Sequence, residues 1–121
     1  MLNNDLYTVD SITKEEGSST AVIRLNVLHP IFAGHFPGEP VLPGACMLQM
    51  IKEMMEMATG HSIQLQKANH IKFIALIDPT KNDLLQINLA HIISEEGLVV
   101  TATLLREDTV CLKFNGVFKI L

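Results

Sequence analysis

One stretch of the chain, about residues 43 to 58, carries a helical pattern, and it is apolar around most of its circumference. Ala45, Cys46, Met47, Leu48, Met50, Ile51, Met54, Met55, Met57 and Ala58 leave a single polar stripe of Gln49, Lys52, Glu53 and Glu56 at i, i+3, i+4 and i+7 spacing. Such a helix must be enclosed, and the sequence offers no second helix to enclose it. The enclosing element therefore has to be an antiparallel sheet that curls around it. The methionines suit that role as core filler, because flexible thioethers fit an irregular curved interface. Gly60, after Thr59, supplies a stop.

The rest of the chain alternates with period two. Ile23, Leu25 and Val27 alternate with Arg24 and Asn26, and Leu85, Ile87 and Leu89 alternate with Gln86 and Asn88, the mark of half-buried strands. Further strands fit residues 65 to 77, 98 to 105 and 110 to 119, with a weaker first strand from Leu6 to Ile12. Asp78 to Asp83, Glu95-Glu96-Gly97 and Arg106-Glu107-Asp108 read as turns. The short turns between the last strands favour an antiparallel meander. The fold class is α+β, in one domain spanning 1 to 121, without repeats or linkers.

A chain of 121 residues is large enough for a core but small for a self-contained cleft, which suggests an oligomer. A net charge of −4 and a pI near 5.6 argue against a nucleic-acid binder. No apolar run reaches the roughly 18 residues of a membrane span, and Met1-Leu2-Asn3-Asn4-Asp5 lacks the pattern of a signal peptide, so a cytoplasmic protein is expected. Cys46 and Cys111 lack a CxxC or a second thiol pair and read as reduced packing residues.

Chemistry concentrates just before the helix, in His35-Phe36-Pro37-Gly38-Glu39-Pro40-Val41-Leu42-Pro43-Gly44. Three prolines within seven residues fix φ and keep their predecessors out of the α region, so His35 sits on a stiffened turn. Pro43 suits the first helical position, and Gly44 lets a ligand approach the free amides there. Those amides and the helix dipole can hold a carbonyl oxygen that becomes negative. An imidazole beside a carbonyl site points to chemistry next to an acyl group.

The segment Gly34-His35-Phe36-Pro37-Gly38-x-Pro40-x-x-Pro43-Gly44 resembles the signature of the 3-hydroxyacyl-[acyl-carrier-protein] dehydratases (FabZ/FabA-like), a hotdog-fold family. Asn69-His70-Ile71-Lys72-Phe73 and Asp83-Leu84 resemble a strand and turn of the same family, so the likeness covers roughly residues 20 to 119. It implies a long apolar helix wrapped by a curved antiparallel sheet of about five or six strands. It also implies pairing of two subunits through a continuous sheet, as a homodimer or with another hotdog subunit, with each site shared across the interface. The implied reaction removes water from a 3-hydroxyacyl thioester carried on acyl carrier protein, in fatty acid or related acyl biosynthesis, and needs no cofactor or metal.

By this resemblance His35 maps onto the catalytic base, which suits a neutral imidazole near pH 7. Gly44 maps onto the residue whose backbone N–H polarises the thioester carbonyl, and Phe36, Pro43 and Glu53 join it along the substrate. The family's second catalytic residue is a helix carboxylate five positions beyond the Pro-Gly, and that position is Gln49. Glutamine can orient a hydroxyl or a water, but it cannot exchange a proton as a carboxylic acid does. The family's usual glutamate-then-glutamine pair is exchanged here into Gln49 and Glu53. One turn moves the carboxylate roughly 6 Å along the axis, too far for proton transfer without a repositioned substrate.

Three readings follow: a dehydratase with His35 as base and Gln49 orienting the hydroxyl; a non-catalytic hotdog subunit that completes an active partner; and a hotdog thioesterase, which the lost carboxylate disfavours. An acidic carrier protein would need a basic patch at the site's mouth, and Lys72 and Arg106 are the candidates. His29 lies six residues before His35 without the further ligands a metal site requires. His61, His70 and His91 fall at a helix end or on strand faces.

Overall fold

The computed structural model describes residues 1–34 and 40–121. Among them six strands form one antiparallel sheet: β1 (Tyr7–Glu15), β2 (Ser18–Leu25), β3 (Ile63–Phe73), β4 (Leu84–Ser94), β5 (Gly97–Arg106) and β6 (Thr109–Ile120). A short helix α1 (Ile31–Gly34) and the long helix α2 (Gly44–Thr59) separate β2 from β3. The strand order is β1-β2-β4-β5-β6-β3, so β4, β5 and β6 form the expected meander. Strand β3, which follows the helix, crosses to the far edge and pairs with β6.

Alternation along the strands builds one concave apolar face. Ile23 on β2, Leu85, Ile87 and Leu89 on β4, Val100 and Leu104 on β5, and Leu112 and Phe114 on β6 are all buried. They share one core cluster with Cys46, Met47, Met50, Ile51, Met54 and Met55 of α2. Each fully buried side chain of this size contributes about 1.5–3 kcal/mol relative to exposure, so the helix is held by its enclosure. Both cysteines are free and buried within this packing.

Pro43 lies one position outside the helix, with φ −64° and ψ 145°, and its carbonyl accepts from the Cys46 and Met47 N–H groups. At the other end Gly60, at φ 75°, donates its N–H to the Glu56 carbonyl and closes the helix in the left-handed conformation that glycine adopts without strain. Strand β3 stops at Phe73 and does not run to 77 as its sequence suggested. The N–H groups of Ile74 and Ala75 both turn to the Cys111 carbonyl, which ends the regular ladder. The freed stretch then ties the residues before α2, because Leu42 donates its N–H to the Ile77 carbonyl at 2.9 Å.

Strand β3 has a neighbour on one side only among the described residues, and every residue after Ile63 is exposed. Its exposed residues include Leu65, Ile71 and Phe73. An apolar edge strand of this length is a template for another chain.

Candidate active site

The irregular stretch after β3 and the start of α2 line an open apolar groove of about 360 Å³, with Val41, Pro43, Gly44, Met47, Phe73 and Leu76 among its walls. Gly44 begins the helix, where the first N–H groups have no intrahelical partner. A Cβ at this position would lie 2.7 Å from the Phe73 ring, so the absence of a side chain lets the half-exposed ring close over the helix start. The sequence pointed to Gly44 but carried no sign that Phe73 would be its neighbour.

His35 and Phe36 lie outside the described residues. Pro43 and Gly44 stand together at the groove, as their adjacency requires. Gln49 does not line that groove. Five helical residues turn the side chain by about 140°, and Gln49 instead borders a second opening of about 540 Å³ with Met1, Lys52, Glu56, His61 and Ile63.

Glu53 lies deeper, 3% exposed, among groups of its own chain. Its Oε1 accepts from the Leu2 N–H at 3.1 Å, the Asn3 N–H at 2.8 Å and the Tyr7 hydroxyl at 3.0 Å. Its Oε2 accepts from the Leu2 N–H at 3.0 Å and from Gln49 Nε2 at 2.9 Å. Burial alone would raise the Glu53 pKa, but the donations from Leu2, Gln49, Asn3 and Tyr7 outweigh it and hold the carboxyl below its ordinary value. The Tyr7 hydroxyl is pushed the other way, upward, by burial, by the Glu53 charge and by the hydrogen bond between them. Burial also raises the Cys46 thiol. Tyr7, the one tyrosine of the chain, gave no sequence sign of this partnership.

The remaining candidates are dispersed. His29 receives the Ile31 N–H on Nδ1 at 3.1 Å and sets Nε2 3.2 Å from Asp5 Oδ2, so both ring nitrogens are engaged locally. Arg106 donates to the Leu76 carbonyl at 3.1 Å, which brings a cation to one end of the groove. Lys72 stands directly opposite Lys113 across β3 and β6, and both are exposed. Two like charges in register are unfavourable unless something acidic lies against them.

A curved six-stranded antiparallel sheet wrapped around one long apolar helix defines a hotdog fold. Solved structures share it. The chain superposes with a TM-score of 0.75 on the dehydratase heterocomplex ApeI:P from Xenorhabdus doucetiae, at 15% identity over 92% of this chain and 96% of that one. It superposes with a TM-score of 0.71 on the protein PH1136 from Pyrococcus horikoshii, at 15% identity over 97% and 84% of the two chains. The family model of the ApeI-like dehydratases matches residues 11–111, and the chain belongs to that family. Among sequence relatives, the 3-hydroxyacyl-[acyl-carrier-protein] dehydratase FabZ of Vibrio atlanticus is 28% identical over 114 residues, 93% of this chain and 72% of that protein. The FabZ of Haemophilus influenzae strain PittEE is 29% identical over 85 residues, 64% of this chain and 57% of that protein.

Proposed function

We propose that the chain acts in the dehydration of 3-hydroxyacyl thioesters to trans-2-enoyl thioesters, as one half of a two-subunit site. The observation that carries the reading is the apolar groove that opens at the Gly44 helix start, beside the break in β3. The groove can receive an acyl thioester with its carbonyl oxygen at the Gly44 N–H, where the helix dipole favours developing negative charge. His35 takes the C2 proton, the C2–H electron pair forms the C2=C3 double bond, and the C3–O bond breaks. The departing hydroxyl takes a proton and leaves as water. With Gln49 unable to supply that proton, His35 returns the one it took.

Gly44 and Gln49 face about 140° apart on one helix, and one substrate cannot readily reach both. A site that combines the Gly44 groove of one subunit with Gln49 of a second meets this geometry. The exposed edge of β3 is where two sheets would join. The carrier-protein substrate named for the FabZ relatives suits this chain through Arg106 at the groove and the Lys72 and Lys113 pair on the adjoining sheet face.

A second reading is favoured by Glu53, whose oxygens are taken up by the chain's own donors while Gln49 stands where the family has an acid. In this reading the chain pairs with a different hotdog subunit that carries the carboxylate, and the heterocomplex described for the Xenorhabdus neighbour is a precedent for such pairing.

The deciding experiment incubates the purified chain with a 3-hydroxyacyl carrier-protein thioester and with the trans-2-enoyl product, and follows interconversion. Turnover that disappears in H35A supports the first reading. A folded dimer that is inactive until a companion hotdog protein is added supports the second. Release of free thiol in place of the enoyl product overturns both.

A further inference from the structure

We infer that Glu53 is a positioning residue: it holds the Gln49 amide nitrogen inward, so that Gln49 offers the 3-hydroxyl of the substrate an acceptor and not a donor. The inference rests on the dehydratase reading above. The two ends of a glutamine amide look alike in shape, and their neighbours decide which end points where. Here the neighbour is an ionised carboxylate, which accepts hydrogen bonds and donates none. Only the Nε2 end of Gln49 can face it, at 2.9 Å.

The Glu53 carboxylate is itself fixed. Three donors converge on its Oε1, and Oε2 is left to the Leu2 N–H and Gln49. With the nitrogen so engaged, the Gln49 carbonyl oxygen is directed away from Glu53, on a side chain that borders the second opening. A substrate hydroxyl that donates its O–H to this oxygen keeps its lone pairs free for the proton it must gain before leaving. An inverted amide would instead donate to one of those lone pairs and compete with that proton. Exchange of the two helix residues therefore turns position 49 from a source of a proton into a fixed acceptor that orients the hydroxyl for a proton delivered by another group.

Glu53→Gln tests this, because the amide placed at 53 has one acceptor and one donor. The three donors around Oε1 select its oxygen, its nitrogen then faces Gln49, and Gln49 must invert. Tyr7→Phe is the control: it removes a donor from Oε1 and leaves the bond to Gln49 intact. The readouts, on the full chain, are the Gln49 side-chain amide signal by NMR and kcat with KM for the enoyl and hydroxyacyl thioesters. Both variants are expected to lower Tm. Glu53→Gln should shift the amide signal and lower kcat about tenfold with KM changed less than about twofold, the scale of one hydrogen bond in the transition state. Tyr7→Phe should keep the signal, and kcat within about twofold. Should Glu53→Gln fail to fold, Glu53→Asp withdraws the carboxylate by one methylene and should move both readouts in the same direction. An amide signal or kcat that responds to Tyr7→Phe as it does to the position 53 variants overturns the inference. A wild-type protein without turnover, whose Gln49 signal still depends on Glu53, overturns the dehydratase reading and supports the hold of Glu53 on Gln49.

Discussion

Replacing Gln49 by glutamate puts a carboxyl where the sequence resemblance expects one, and places it against a carboxylate that is already there. Gln49 Nε2 is 2.9 Å from Glu53 Oε2, so Q49E sets two carboxyl groups with charge centres about 4 Å apart. At an effective dielectric near 20 their repulsion is about 4 kcal/mol. The residue at 49 is only partly buried and can lean toward water, which relieves roughly half of it. The remaining ~2 kcal/mol corresponds to a rise of about 1.5 pKa units. Because the donors around Glu53 favour its charge, the new carboxyl takes most of the rise and titrates above the ordinary carboxylate range. A carboxyl whose folded pKa lies above its unfolded value binds more protons when folded, so stability falls as pH rises between the two values. Relative to wild type, Q49E should therefore match or nearly match Tm at pH 4, and lose roughly 5–10 °C by pH 8. Thermal unfolding of both proteins across this range is the assay, with Q49E/E53Q compared with E53Q as the pair in which the loss on raising pH disappears. A loss in Q49E that is the same at pH 4 and pH 8 would refute the contact between positions 49 and 53 on which the reasoning stands.

Wild-type stability should depend on Glu53 in the opposite sense: its pKa is depressed in the fold, so its contribution is full above the unfolded carboxylate pKa and is lost as pH falls through the lower folded value. The Tm gap between wild type and E53Q, measured from pH 7 to pH 3, should narrow on acidification. Gly44→Ala should change stability by less than about 1 kcal/mol, because the half-exposed Phe73 ring can swing toward solvent. The added methyl, on a wall of the groove, should raise KM for acyl thioesters several-fold, read by steady-state kinetics. On the proposed pairing through β3, Ile71→Lys on the edge strand should leave the chain monomeric in light scattering where the wild-type chain pairs, with its circular dichroism unchanged.

The enclosing sheet was legible because an all-round apolar helix admits few partners, and the period-two runs at 23–27 and 85–89 supplied the strands. The end of β3 was not legible. The apolar residues Ile74, Ala75, Leu76 and Ile77 continue its pattern, and only the capture of two successive N–H groups by the Cys111 carbonyl ends the ladder. The short helix at Ile31–Gly34 was likewise unannounced; it forms after Pro30, with buried Phe32 at its centre. At the candidate site, the motif pointed to Gly44 and Gln49 because both are fixed by spacing along the chain. The surroundings of Glu53 depend on residues 46 to 51 positions away in sequence, which no local pattern encodes. The sequence resemblance therefore pointed to Glu53 as a carboxylate one turn beyond the expected position, and the fold supplied its partners: the backbone of residues 2 and 3 and the hydroxyl of Tyr7.

The bare edge of β3 has a consequence for how such a chain chooses company. The main-chain groups along a strand edge are the same in every protein, so the ladder they would form cannot tell a copy of this chain from a cousin. Discrimination falls to the few side chains that alternate along the strand, among them Leu65, Ile71 and Phe73. A gene duplicate could thus drift from pairing with itself to pairing with its sibling through a handful of substitutions on one strand, leaving the helix and its buried carboxylate untouched. Leu65 and Ile71 could be revised without touching the helix, whereas Phe73, which also walls the groove beside Gly44, ties the choice of partner to the shape of the site.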